Sequence, residues 1–86
     1  MKILFHKKFD KDFEKISLKI KNQFFERLGL FEQGPFDAIL NNHAVDSVYP
    51  GWRSINVTGD YRALFDPKEQ DIVLFMRIGT HSQLYK

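Results

Sequence analysis

The chain has 86 residues, thirteen of them basic and eleven acidic, for a formal charge of +2. With 43% apolar and 28% charged residues, and nine Phe, three Tyr and one Trp, it reads as a folded domain and not as a disordered tail. The length suits one domain over residues 1–86. The longest apolar run, Ile72 to Met76, is too short to span a bilayer, and Ile3-Leu4-Phe5 is too short for a secretory h-region. There is no Cys, which excludes disulfides and thiolate metal sites. Cytoplasmic residence without a membrane partner is the expectation.

Lys2 to His6 reads as a first strand, with Ile3 and Phe5 on one side and Leu4 on the other. Phe9, Phe13, Ile16 and Ile20 then recur at helical spacing, and Phe24, Leu28 and Phe31 continue a similar stripe. Ser17 is a break and N-cap between two helices, or else one long helix bends there. Gly34-Pro35 ends the helical region. From Phe36 to Gly51 the chain reads mainly as loop, marked by Asn41-Asn42-His43 and Pro50-Gly51.

The period then changes to two. Arg53, Ile55 and Val57 alternate with Ser54, Asn56 and Thr58, a strand with two different faces. Thr58-Gly59-Asp60 is a turn, Tyr61 to Asp66 the next strand, and Asp66 to Asp71 a polar connection. Ile72 to Ile78 is the most apolar strand and belongs inside the sheet. Gly79 ends it, and Thr80 to Tyr85 forms a short tail. The expected fold class is α+β: a strand, two helices in a hairpin, then an antiparallel three-strand meander with the helices on one sheet face.

Charge is segregated. Met1 to Lys21 holds seven Lys and three acids, a net of +4, while Asn22 to Gly51 has a net of −3 and Trp52 to Lys86 a net of +1. Three of the four arginines, Arg53, Arg62 and Arg77, lie in the last segment. Lysine supplies diffuse attraction, whereas the planar fork of arginine suits a phosphate. The lysines alone are equally a solvated helix face.

The strand ends can bring Asp60, Arg53, Arg62, Arg77 and His81 into one cleft. A carboxylate, an imidazole and guanidinium groups are the inventory for cleaving RNA without metal: a base for the 2′-hydroxyl, an acid for the leaving 5′-oxygen, and cations for the phosphorane. Imidazole serves either proton-transfer role. Tyr85 or Tyr61 could stack on a base. Asp60 beside Gly59 is equally a turn former, Arg53 and Arg62 are equally surface cations, and His43 in its Asn-rich loop reads by pattern as a surface residue. His6 is structural. Five scattered Gly make no phosphate-binding loop, and three His at 6, 43 and 81 lack metal-ligand spacing, so no cofactor and no metal are expected.

Three segments together carry a resemblance: Asn41-Asn42-His43-Ala44, the run RSINVTGDYRALF from Arg53, and RIGTHSQLY from Arg77 to Tyr85. With the opening FHKKFDKDFEK they resemble the RelE/ParE toxin superfamily, in particular its YafQ-like branch, over almost the whole chain. The resemblance implies a RelE-like α+β fold. It also implies a type II toxin that cleaves messenger RNA, commonly on translating ribosomes, and is held inactive by a cognate antitoxin. His81 stands at the family's principal catalytic His and Tyr85 at its terminal aromatic position. Asp60 and His43 match an acidic residue and a His of the family site, and Arg62 matches the arginine that contacts the scissile phosphate. Some relatives carry a second strand His where this chain has Asn56, which cannot exchange protons. The implied site is therefore His81, Asp60, His43, Arg62 and Tyr85, with Arg53, Arg77, Asn56 and Tyr61 on the substrate side. The competing readings are a gyrase-poisoning toxin of the ParE type and a non-catalytic RNA-binding or interaction module.

Overall fold

A computed structural model describes residues 1–85; Lys86, the last residue of the expected domain, lies outside them. The first strand, β1 (Lys2–Phe5), runs directly into helix α1 (Lys7–Glu14). His6 makes that junction, its Nδ1 accepting from the Lys8 amide at 3.0 Å as an N-cap. Its structural role is as expected. Helix α2 (Leu18–Gln33) starts at Ser17, whose Oγ accepts from the Ile20 amide, and stops at Gly34, whose amide donates to the Leu30 carbonyl. Ser17 therefore separates two helices.

The segment read as loop carries more structure than its composition suggests. Asp37 caps a 3-10 turn (Ala38–Leu40), and His43–Ala44 form a two-residue strand, β2. Strands β3 (Arg53–Asn56), β4 (Tyr61–Glu69) and β5 (Ile72–Thr80) follow, then a single helical turn, α3 (His81–Leu84). The sheet has five strands in the order β1-β5-β4-β3-β2, so the expected three-strand meander is extended at both edges. β1 returns to lie parallel to β5, and β2 lies antiparallel to β3. The connection between them is long, carrying α1, α2 and the three intervening strands, as a parallel pairing needs.

The polar connection expected from Asp66 is instead the continuation of β4, paired with β5 through Asp66↔Leu74 and Pro67↔Val73. Beyond Phe65 the strand has no β3 partner, so it is a local edge with an irregular register, where a proline's missing donor is tolerated.

Period two decides which side chains meet the helices. Ile55, Val57, Ala63, Phe65, Phe75 and Ile78 pack beneath Phe9, Phe24 and Phe31 in one core. Phe24 meets Phe75 edge to face at 5.5 Å, and Phe31 meets Phe65 at 5.1 Å. Burying each such ring is worth about 1.5–3 kcal/mol, with roughly 0.5–1.5 kcal/mol more from each favourable aromatic pair. Ser54, Leu64 and Leu84 are also buried but sit outside this core, because the opposite face has its own cover.

β1 stops at Phe5, and further along the same edge of β5 a carboxylate from α1 takes over. Asp12 Oδ2 accepts from the Ile78 amide at 3.1 Å and from Arg77 Nε at 2.6 Å, while Oδ1 accepts from Arg77 Nη2 at 3.2 Å. The Asp12 hydrogen bond, against a smaller opposing effect of burial, raises the Arg77 pKa and keeps the guanidinium charged. Replacing Asp12 by Ala leaves an edge amide and a part-buried cation without this partner. We expect a loss of about 1–3 kcal/mol, read as a lower urea midpoint; an unchanged midpoint would remove the pair from any role in stability.

Candidate active site

The sheet face opposite the main core is where the chemistry gathers. On β3 and β4, Ser54 faces Leu64 and Asn56 faces Arg62 in register, and across β4–β5 Arg62 faces Gly79. α3 folds back over this surface beside Gly79, which leaves room for the Gln83 side chain. A Cβ there would lie 2.9 Å from Gln83 Oε1, the atom that accepts from the Thr80 amide and closes the capping box at the start of α3. Substituting Gly79 by Ala is expected to break that cap and cost about 1 kcal/mol.

The loop between β2 and β3 forms the second wall. Val45 and Trp52 are joined by a backbone hydrogen bond, and the Tyr49 ring stacks on Trp52 at 5.0 Å with 4° between planes. Tyr49 donates its hydroxyl proton to the Leu84 carbonyl and meets Tyr85 edge-on at 6.0 Å. Tyr85 in turn lies 4.6 Å from the His81 ring. A chain of rings therefore ties the loop to α3.

Between these walls is a cavity of about 290 Å3. His43, Arg62, His81 and Tyr85 line it, together with Ser54 and an apolar wall from Val45 and Val48. Arg62 Nη1 donates to the Thr58 carbonyl at 2.9 Å and to the Tyr61 carbonyl at 3.1 Å. A guanidinium has five N–H donors, so this anchorage leaves three for an anion in the cavity. His43 Nδ1 lies 2.7 Å from the Asn41 carbonyl. Two imidazoles, one guanidinium and one aromatic ring thus face a single space.

Ser54 is fully buried, and its Oγ has no hydrogen bond of ordinary geometry among the described residues. The Tyr85 hydroxyl is the polar group acting beside it. Burial pushes the Tyr85 pKa up, and the interaction with Ser54 opposes this more weakly. Tyr85 is therefore held as a neutral phenol, suited to stacking and not to carrying charge.

The remaining expected residues lie elsewhere. Arg77 reaches the edge of β5 and is paired with Asp12, so it does not share the cleft with His81. Tyr61 packs against the helix-side core and lines a different cavity, of about 280 Å3, with Arg77 and Asp12. Asp60 is exposed at the hairpin turn and does not line the His81 cavity; its backbone carbonyl accepts from the His81 amide at 3.1 Å. Asn56 Oδ1 is buried without a partner among the described residues, and Asn56 lines no part of the cavity. Arg53 donates from Nε to Asn42 Oδ1 at 2.7 Å and lies over the Phe36 ring. Sequence reasoning passed over Ser54, Tyr49 and Trp52. A serine in a buried strand, and two aromatics three apart in a Pro-Gly loop, were the available signals. No group of three or more metal-ligating side chains is assembled among the described residues.

The profile of the ParE toxin of type II toxin–antitoxin systems, parDE, matches residues 3–85. The chain belongs to that family. It is a toxin of the RelE/ParE superfamily, as its motifs implied, and its fold is RelE-like. YafQ from E. coli superposes with a TM-score of 0.81 at 22% identity, over 98% of this chain and 97% of that one. A YoeB/ParE toxin from Agrobacterium tumefaciens gives 0.77 at 13% identity, over 94% and 99%. The E. coli DinJ-YafQ toxin–antitoxin complex gives 0.71 at 20% identity, over 98% and 96%. At these identities the likeness is one of fold. Among curated proteins none matches the sequence significantly.

The raised Tyr85 pKa fixes the sign of an alkaline effect. A phenol that ionises later in the folded chain than in the unfolded one loses stability as pH rises past about 10. Thermal midpoints between about pH 9 and 11 should therefore fall less steeply for Tyr85→Phe than for the unaltered chain; parallel curves would show that Tyr85 does not contribute.

Proposed function

We propose that the cavity shared by His43, Arg62, His81 and Tyr85 is the active site of an endoribonuclease that cuts messenger RNA without metal, on translating ribosomes, in the cytoplasm. The observation that carries this reading is the meeting of two imidazoles and a guanidinium in one space. His43 takes the proton of a ribose 2′-hydroxyl as its oxygen attacks the neighbouring phosphorus. His81 gives a proton to the 5′-oxygen as the P–O5′ bond breaks. Arg62 stabilises the charge that builds on the phosphoryl oxygens. Tyr85 stacks on a base and aligns the phosphate for in-line attack. The products are a 2′,3′-cyclic phosphate and a free 5′-hydroxyl. Asp60, outside the cavity, contributes by anchoring the His81 amide; Asn56 and Tyr61 support the strand behind Arg62.

The partner is a cognate antitoxin. Membership of a toxin–antitoxin family supports this, as does the likeness of fold to a toxin bound in a toxin–antitoxin complex. The net +4 of Met1 to Lys21 suits an acidic segment of such a partner.

The name of the matching family favours a second reading, gyrase inhibition of the ParE type. Under it the two imidazoles transfer no proton, and a binding-only RNA module would likewise leave them idle. Purified protein added to a translating extract and to a gyrase supercoiling reaction separates these readings. Discrete mRNA cuts in the translating extract, with gyrase untouched, are expected; inhibited gyrase with intact mRNA would sink the nuclease. His81→Ala should lower cleavage by about 10²-fold or more. His43→Ala should lower it by a comparable factor, and cleavage kept in either variant would remove that imidazole from the mechanism.

A further inference from the structure

We propose that Asn41 and Arg53 are positioning residues that hold His43 in the tautomer a general base requires, an inference that rests on reading the cavity as a ribonuclease site. Asn41 is the one non-glycine with positive φ among the described residues, at φ 47° and ψ 48°. Asn tolerates this left-handed conformation, and β-branched residues resist it. It ends the 3-10 turn and sets the Asn41 carbonyl 2.7 Å from His43 Nδ1. A carbonyl oxygen only accepts, so this contact is a hydrogen bond when Nδ1 carries the proton. In the neutral ring the bare lone pair then sits on Nε2. The other tautomer would press two lone pairs together at that distance. Since His43 lines the cavity beside Arg62, His81 and Tyr85, Nε2 is the atom left to accept the proton of a 2′-hydroxyl.

Arg53 braces the same turn. Its Nε donates to Asn42 Oδ1 at 2.7 Å and its Nη2 to the Asn42 carbonyl at 3.3 Å. Asn42 Nδ2 donates onward to the Pro35 carbonyl at 2.8 Å, and the guanidinium lies 5.4 Å from the Phe36 ring centre. Arg53 also pairs in register with Ala44, the residue after His43. Arg53 lines no part of the cavity, so its guanidinium supports the base and leaves the phosphate to Arg62.

The test uses the full chain labelled with 15N at histidine. The His43 resonances, assigned by their loss in His43→Gln, should show the proton on Nδ1 once the ring is neutral; a proton on Nε2 overturns the proposal. Asn41→Val should populate the other tautomer and lower kcat about tenfold with KM unchanged. Asn41→Gly, which adopts positive φ freely, should restore the tautomer and most of the rate. Arg53→Met, which keeps an apolar stem against Phe36, should lower kcat and leave KM for RNA in place. A raised KM with kcat intact would make Arg53 a substrate ligand and overturn its part. Should Asn41→Val fail to fold, the tautomer of the unaltered chain and the Arg53 kinetics still decide. The nuclease reading fails separately, if His43→Gln and His81→Ala both leave cleavage intact whatever the tautomer.

Discussion

The helices hold the sheet by its aromatic face, and every other feature follows from that grip. Phe24 and Phe31 from α2 and Phe9 from α1 are buried against Phe65 and Phe75. Once Ile55, Ala63 and Phe65 point toward those rings, strand periodicity turns Ser54, Arg62 and Leu64 to the other side. A slip of one residue in β4 would bury the Arg62 guanidinium in the phenylalanine core, which costs far more than any regained contact. The same packing that stabilises the fold therefore delivers the cavity's cation to its place.

The second face is built differently. It has no comparable aromatic core, only a one-turn helix and a loop fastened by the Tyr49 hydroxyl on the Leu84 carbonyl and by the capping box of Thr80 and Gln83. Each hydrogen bond or ring contact in these fastenings is on the scale of about 1 kcal/mol. Such a layer opens more readily than the core beneath it. Of the cavity's imidazoles, His81 belongs to this lighter layer through α3, whereas His43 on the edge strand β2 and Arg62 on β4 belong to the sheet. The placement of the His81 imidazole against His43 and Arg62 is thus decided by how well the light layer docks on the heavy one.

The three arginines of the last segment show how local sequence and tertiary role diverge. All three lie on adjacent strands and all could have served one anion. Arg62 alone lines the cavity with the histidines; Arg53 holds Asn42, and Arg77 completes the edge of β5 with Asp12. Asp12 and Asn42 are remote from their arginines in sequence, and nothing in the spacing of either marks it as a partner. Charge segregation along the chain was a true observation, yet it did not distinguish an arginine held by another side chain from one facing open space.

Much of this molecule was legible from its residues. The helical stripes through Phe9, Phe13, Phe24 and Phe31, the cap at Ser17 and the stop at Gly34 are local signals, set by spacing and by backbone hydrogen bonding, and they stand in the structure. The alternation from Arg53 and the apolar run from Ile72 likewise announced strands, and the tail motif marked His81 and Tyr85. Other features have no local signature. The parallel return of β1 to β5, the short strand at His43, the continuation of β4 through Pro67 and the exclusion of Arg77, Tyr61 and Asp60 from the cavity all depend on partners distant in the chain. Periodicity reports which way a side chain points from its own backbone; only the packing of strands, helix and loop against one another decides what it meets there.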